Sequence, residues 1–249
     1  MSARIEVIAI EGLPEIAAGD PLGRLVADAG RPRADDVVIV SQKAVSKAEG
    51  RIVRLADVNP SARAEELAAS LGKDPRMVEL VLAESTRVVR AERGVLITET
   101  HGGWICANAG IDASNLANAG TVSLLPEDAD ASARRLRDEI EAAADARPAV
   151  VVADSFGRPW RRGQADIAIG CAGLVPIDDW RGRRDRTGLE LAATEVAVAD
   201  EAAAAANLVR DKDAGVPAAI IRGLGRHVTT DDGPGAAVLQ RSAKEDLFR

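Results

Sequence analysis

The sequence predicts a mixed α+β fold, because short β-branched runs alternate with helical patterns along the chain. Residues 4–10 and 36–40 are rich in Val and Ile and have the length of buried strands. Residues 130–146 place Leu136 and Ile140 on one side of a helix and charged residues on the other. With 249 residues, of which 47% are apolar, the chain is long enough to bury a sizeable core. We expect one domain spanning residues 1–249.

The first half of the chain is predicted to hold two helices and a hairpin. Residues 61–71 and 75–85 have helical patterns, the second opening on a proline. Residues 88–90 and 95–98 predict a hairpin that turns at an Arg-Gly pair. The stretch 101–120 is rich in Gly and Asn, and we expect an irregular loop of functional importance there.

The second half predicts further buried strands and one long helix. Residues 149–153 form an apolar strand, residues 167–174 are a second apolar run, and residues 218–221 form the last strand. The Ala-rich residues 189–208 predict a long helix whose small side chains allow close approach to a neighbouring element. That neighbour is either a second subunit or another part of the same chain. Residues 229–243 are expected to be a mobile tail.

Composition excludes several classes of function. The net charge of −7 and the presence of only two Phe, three Trp and no Tyr argue against a nucleic-acid binder. Arginines between positions 158 and 186 are the exception, and they form either a site for a small anion or a solvated loop. The sequence offers no apolar stretch long enough to span a membrane. Two cysteines, without metal-ligand spacing, fit a reducing cytoplasm.

Familiar nucleotide and catalytic motifs are absent from the sequence. It contains no GxxxxGK[ST] loop and no complete GxGxxG fingerprint. Its two histidines, His101 and His227, stand apart from each other, which gives little support to a histidine-centred site. Any nucleotide site must therefore be built in another way.

Three polar segments are candidates for that site. In residues 108–115, Asp112 and Asn115 lie among small residues, which suits a hard cation with phosphate, although an Asx turn explains the same pattern. In residues 154–161, Asp154 and Ser155 offer cation ligands beside arginines that neutralise phosphate. A turn or helix cap at Asp154 is the alternative.

The third segment, residues 41–50, follows a predicted strand. It contains two hydroxyl groups and two lysines, so it could bind phosphates as a loop that differs from a Walker motif. A polar hairpin whose lysines extend to solvent is the alternative.

Taken in order along the chain, these segments resemble the coenzyme F420-0:L-glutamate ligase family, and most of all the ligase half of its actinobacterial bifunctional form. The resemblance covers nearly the whole chain. It rests on the blocks GLPE at 12–15, VSKAEGR at 45–51, LITE at 96–99, AGID at 109–112, SN at 114–115, DSFGRPWR at 154–161, GQADIAIGCAGL at 163–174, TEVAVADE at 194–201, IIRG at 220–223 and EDLF at 245–248.

The resemblance implies a GTP-dependent ligase in which the lactate carboxylate of F420-0 is activated as an acyl phosphate and captured by the amine of L-glutamate. A further γ-linked glutamate then follows. It also implies two Mg²⁺ or Mn²⁺ ions per site, K⁺ as an additional activator, and an intertwined homodimer with a γ-glutamyl ligase-like fold. In the bifunctional form a flavin-binding, nitroreductase-like domain follows the EDLF block, so a flavin domain or protein is an expected partner. Either this chain is naturally a single domain or it was cut at that point.

Carried over to this sequence, the resemblance implies a set of site residues. Asp112 and Asp154 would ligate one cation, and Ser155, where the family commonly has Thr, would ligate the second. The implied catalytic residues are Asp112, Asp154 and Arg158. The residues implied to bind nucleotide are Leu13, Pro14, Glu15, Ile16, Ser41, Gln42, Lys47, Asn115, Asp211 and Lys212. Protonated Lys212 cannot ligate a cation, so we expect the second cation to find its remaining ligands elsewhere. Alternatives to the enzyme are a metal- and nucleotide-binding module that serves a separate flavin domain, or an amide ligase for another carboxylate.

Overall fold

The computed structural model describes residues 4–114, 116, 119–211 and 213–247. Asn115 and Lys212, which the sequence assigned to the nucleotide site, lie outside the described residues. The described helices are α1 Leu22–Gly30, α2 Gln42–Ala48, α3 Ala62–Leu71, α4 Pro75–Ala83, α5 Ala129–Ala144 and α6 Val198–Asn207. The described strands are β1 Glu6–Ile10, β2 Val37–Ser41, β3 Ile52–Arg54, β4 Ser85–Glu92, β5 Val95–Thr100, β6 Ile105–Ala107, β7 Thr121–Ser123, β8 Ala149–Gly157, β9 Gln164–Ala172, β10 Asp178–Asp179, β11 Glu195–Val196 and β12 Ala218–Arg222. The α+β class predicted from the sequence is confirmed.

A five-stranded sheet forms the centre of the fold, in the order β1-β12-β2-β8-β9. Strands β2 and β8 are parallel, whereas the other neighbours are antiparallel. Because side chains alternate along a strand, Val38 and Val40 face one side of the sheet and Val37 and Ile39 face the other. Both faces are therefore buried, which explains why these strands are continuous apolar runs in the sequence.

Helices cover the two faces of this sheet. Residues of α1, α2 and α5 pack on one face, where Leu136 and Ile140 lie with Val38 and Val150 in a single apolar cluster. Helix α6 covers the other face. The sheet is thus the middle layer of three layers of secondary structure.

A third apolar cluster lies between α3, α4, β5 and β7. Ser61 caps the start of α3, and Gly72 ends that helix with a left-handed backbone. Strands β4 and β5 form the predicted hairpin. Its turn residues Arg93 and Gly94 have φ values of 53° and 76°, as a type I′ turn requires.

Two of the predicted elements differ from those observed. The stretch 101–120 is not irregular throughout, because it contains β6, paired with β5, and the 3-10 helix Asn108–Gly110. The predicted helix 189–208 begins only at Val198. Residues 178–196 instead form an arm in which β10 and β11 pair.

The tail predicted to be mobile is tied to α5 and the sheet. Arg137 donates hydrogen bonds to the carbonyl oxygens of Thr229 and Asp231, and Ala236 is fully buried. The anchor is a side chain more than ninety positions earlier in the chain, and a local sequence pattern cannot reveal such a partner.

The Ala-rich helix also settles one of the alternatives left by the sequence. Ala199, Ala202, Ala203 and Ala206 of α6 are buried in the same cluster as Val37 and Ile39 of β2. The close approach that these small residues allow is therefore to the sheet of the same chain, and this helix gives no support to a subunit interface. In the part of the chain described here, no helix combines the length and apolar character needed to cross a bilayer.

Candidate active site

The candidate site lies where β2 ends and β8 continues. Ser41 is the last residue of β2, and its side chain caps α2 by accepting a hydrogen bond from the N–H of Ala44. The sequence suggested that the neighbouring strand ends before Asp154, but β8 runs on to Gly157 because β9 remains paired with it. Asp154 and Ser155 therefore lie within β8, just past the end of the parallel neighbour β2.

A cavity of about 890 Å³ opens at this point. Its walls come from β8, the start of α2, the segment around Asp112, and the segment after α6. Most of the residues predicted from the sequence line it together. These are Pro14, Glu15, Ile16, Ser41, Gln42, Lys47, Asp112, Asp154, Ser155 and Asp211.

Two predicted residues lie away from the cavity wall. Leu13 packs against the apolar cluster beneath α1. Arg158 is exposed, and its guanidinium donates to the carbonyl oxygens of Arg162 and Gly163 within its own turn. In this arrangement the Arg158 side chain is used to hold the turn that joins β8 to β9.

Asp112 is held in place by its neighbours on both main chain and side chain. Its backbone pairs with that of Ser123, with N···O distances of 3.1 and 2.8 Å. Its carboxylate accepts from Lys43 Nζ at 2.8 Å and from the N–H of Ser114 at 2.7 Å. Burial raises the pKa of the Asp112 carboxyl group, but the hydrogen bonds from Lys43 and Ser114 outweigh burial and leave this pKa below its ordinary value.

Asp154 has the opposite environment. Burial is the main cause that raises the pKa of its carboxyl group to about 6, and the nearby carboxylates of Asp166 and Asp112 raise it further. Hydrogen bonds from the Ser155 N–H and the Gln42 side chain act in the other direction without cancelling this effect. Ionised Asp154 therefore adds negative charge where negative charge is already concentrated.

These oxygen atoms fit a divalent cation that is shared with a phosphate group. Mg²⁺ is usually held by one or two carboxylates together with substrate phosphates, and Asp112, Asp154 and the hydroxyl of Ser155 supply such ligands. Asn108 also lines the cavity, and its buried Oδ1 has no hydrogen-bond partner among the described residues. Across the described ranges, no three His, Cys, Asp or Glu side chains are grouped to hold a metal by themselves. The donors present therefore suit a cation whose coordination is completed by phosphate oxygens of a bound substrate.

Positive charge lines the same cavity. Lys43 and Lys47 project from α2, and Lys47 Nζ forms an ion pair with Glu15. Arg210 contributes a third cationic side chain. A metal-bound polyphosphate carries both signs of charge. Its phosphates are bound by lysines and arginines, and its cation is bound by carboxylates.

Several other polar residues line the cavity without having been named as site residues from the sequence, among them Lys43, Asn108, Asp166 and Arg210. Asp166 left a signal in the sequence, since a carboxylate within the apolar run of β9 requires a partner. Lys43 left a weaker one, because it lies in the segment already selected for its two lysines. Asn108 is the first residue of the segment 108–115 that was selected for Asp112 and Asn115, whereas Arg210 shows no local pattern that marks it out.

Comparison with known proteins gives a consistent result. The F420-0:gamma-glutamyl ligase family profile matches residues 12–223. Coenzyme F420:L-glutamate ligase of Methanothermobacter thermautotrophicus is 42% identical over 251 residues, covering 98% of this chain and 99% of that protein. The proteins of the same name from Methanopyrus kandleri and Archaeoglobus fulgidus are each 42% identical over 248 residues, covering 99% of this chain and 97% of each relative.

Proposed function

Because this chain belongs to the F420-0:gamma-glutamyl ligase family and is a ligase, we propose that it uses GTP to join L-glutamate to the carboxylate of F420-0. The observation that carries the proposal is the single cavity in which Asp112, Asp154, Lys43 and Lys47 all lie. This combination of carboxylates and lysines suits a nucleoside triphosphate and its cation. The full-length similarity to proteins named coenzyme F420:L-glutamate ligase supports glutamate and F420-0 as the substrates.

We propose that the reaction proceeds in two steps. The lactate carboxylate of F420-0 attacks the γ-phosphorus of GTP, GDP departs with the electrons of the broken P–O bond, and an acyl phosphate results. The amine of glutamate then attacks the acyl carbon, inorganic phosphate leaves, and the amine proton is released. A second cycle on the γ-carboxylate of the added glutamate would give the γ-linked extension.

The residues of the cavity have distinct tasks in this proposal. Asp112 and Asp154 would hold one Mg²⁺ or Mn²⁺ ion and Ser155 a second, with K⁺ as an additional activator. Such cations, when bound, neutralise the charge that develops on the transferred phosphoryl group. Lys47 lines the same cavity as these carboxylates and would contact phosphate oxygens together with Ser41 and Gln42. The proposal does not depend on Arg158.

Turnover of the purified protein tests this proposal. With GTP, Mn²⁺, L-glutamate and F420-0, we expect GDP and phosphate to form in equal amounts together with glutamylated F420. Omission of F420-0 or glutamate is the control and should prevent stoichiometric release of both products. Tight binding of GTP without release of GDP would favour a nucleotide-binding module for a separate flavin domain or protein. Turnover with a different carboxylate or amino acid would favour another amide ligase.

We also propose that the protein is a cytoplasmic homodimer. Two exposed apolar side chains on the arm of residues 178–196, Trp180 and Leu189, are 36% and 70% accessible and are candidates for a subunit contact. Both cysteines are free and buried, which suits a reducing compartment.

Light scattering at micromolar concentration tests the homodimer. We expect a mass close to twice 26.0 kDa. A protein with full activity and the mass of a monomer at the assay concentration would contradict the dimer.

A further inference from the structure

A buried carboxylate on β9 joins two walls of the cavity. Asp166 is only 4% exposed, and it lies opposite Ser155 in the pairing of β8 with β9. Its Oδ1 accepts the hydroxyl hydrogen of Ser155 at 2.6 Å, and its Oδ2 accepts from Nη2 of Arg210. Each oxygen of this carboxylate therefore holds a different part of the site.

Arg210 extends the contact beyond β9. It is 6% exposed, and its Nη1 donates to the carbonyl oxygen of Pro217 at 3.2 Å. The same carbonyl accepts from the N–H of Ser41 at 2.8 Å. A continuous set of contacts thus runs from Ser155 through Asp166, Arg210 and Pro217 to the start of α2. It lies beside the part of the cavity wall formed by Asp211, Asp213 and residues 215–217.

We propose that Asp166 is a positioning residue that couples two sides of the cavity. Ser155 lies on the cation side, and the segment after α6 lies on the nucleotide side. The proposal rests on the function proposed above. A serine hydroxyl has one hydrogen, and Ser155 gives it to Asp166, so its oxygen is oriented to accept or to ligate in any further contact. Because Arg210 is bound to the same carboxylate and to the carbonyl oxygen of Pro217, the placement of residues 215–217 depends on the same carboxylate that orients Ser155.

The alternative is that the Asp166–Arg210 pair only stabilises the fold. Loss of one partner from a buried ion pair is destabilising in any case, so a fall in melting temperature does not separate the two explanations. The affinity for Mn²⁺ does separate the two explanations. If charge alone mattered, Arg210→Met would strengthen Mn²⁺ binding, because it removes a positive charge from the cavity. If Arg210 holds Asp166 and the segment in place, the same substitution weakens Mn²⁺ binding.

The experiment measures Mn²⁺ binding by electron paramagnetic resonance, and GDP binding by calorimetry, in the unmodified protein and in variants. We expect Arg210→Met and Asp166→Asn each to weaken Mn²⁺ binding by about ten- to a hundredfold, the range for a lost hydrogen bond to a charged group. Asn has one acceptor oxygen and one donor NH₂ group, so it cannot accept from Ser155 at one atom and from Arg210 at the other, as the two oxygens of Asp166 do. Tighter or unchanged Mn²⁺ binding in Arg210→Met would overturn the proposal.

A double substitution keeps the test decisive if Arg210→Met does not fold. In a Ser155→Ala background, Asp166→Asn should cost little further Mn²⁺ affinity, because the hydroxyl that it orients is already gone. Independent, fully additive losses would count against positioning. Asp36→Asn is the matched control, since Asp36 is a fully buried carboxylate that holds Arg222 with two hydrogen bonds of 2.9 and 2.8 Å outside the cavity. It should lower the melting temperature without changing Mn²⁺ affinity.

Failure of this inference can be told apart from failure of the proposed function. If the unmodified protein turns over F420-0 but Arg210→Met binds Mn²⁺ as tightly, only the positioning role is wrong. If the unmodified protein binds Mn²⁺ and GDP with the expected variant effects but never forms product, the proposed reaction is wrong and the coupling stands. If the unmodified protein binds neither ligand, both are wrong.

Discussion

Asp154→Asn is expected to lower the rate of ligation by a hundredfold or more, while the protein remains folded. The amide has the shape of the carboxylate but lacks the charge needed to hold a cation against the transferred phosphoryl group, and losses of about 10²–10³ are typical when one such electrostatic contact is removed. Steady-state release of GDP in the presence of F420-0 and glutamate measures the effect. Coupled ligation at a near-normal rate would contradict the role of Asp154.

The same substitution is expected to stabilise the protein in the absence of metal. The pKa of the Asp154 carboxyl group is raised to about 6, above its ordinary value of 3.8, so the folded state binds the proton more tightly than the unfolded state. The free energy of unfolding of the unmodified protein therefore falls as the pH rises from about 4 to 6. The full loss, on the order of 3 kcal/mol, applies above pH 6.

Urea unfolding in the presence of a chelator checks this expectation. Asp154→Asn should be more stable than the unmodified protein at pH 8, and the advantage should shrink as the pH falls below 6. Asp200→Asn is a matched control, because Asp200 is another carboxyl group whose pKa burial raises, and it accepts from the N–H of Ala168 outside the cavity. It should keep ligase activity. Lower stability of Asp154→Asn than of the unmodified protein at pH 8 would show that the ionised carboxylate of Asp154 does not destabilise the fold.

The sequence predicted those parts of the site that depend on local pattern. The end of an apolar strand marks Ser41, and a carboxylate among small residues marks Asp112. Ser41 and Asp154 meet because β2 and β8 are parallel neighbours, whereas Asp112 reaches the same cavity from the segment after β6. The contacts of Lys43 with Asp112 and of Asp166 with Arg210 could not be predicted, since each joins residues that are far apart in the chain.

The error in the long helix has a local cause. Alanine favours helix at every position, so the count of alanines between residues 189 and 208 did not mark the start. The carboxylates Asp200 and Glu201 lie in the first turn of α6, where the helix dipole favours negative charge. Those two residues were the signal that the helix begins near Val198.

The second large effect is expected from Arg137, the fully buried arginine of α5. Its guanidinium donates to the carbonyl oxygens of Pro148 and Asp231 at 2.9 and 2.6 Å, and to the carboxylate of Asp232 at 2.8 Å. Gly173 passes so close to this group that a Cβ atom there would collide with it. One side chain thus joins α5 to the sheet edge and to residues 229–232.

Arg137→Met should lower the free energy of unfolding by about 3–5 kcal/mol, because the buried acceptors lose their donor and Asp232 loses an ion-pair partner. Urea unfolding at pH 7 measures the loss. Arg134→Met on the same helix is the matched control, because the side chain of Arg134 is 42% exposed and lies 3.8 Å from Asp128. It should change the free energy of unfolding by less than about 1 kcal/mol.

Limited proteolysis shows which part of the chain is released, since residues 229–239 should be cleaved first in Arg137→Met. Equal stability of the two variants would mean that residues 229–239 are held by other contacts, such as the N–H of Ala236 donating to Asp130.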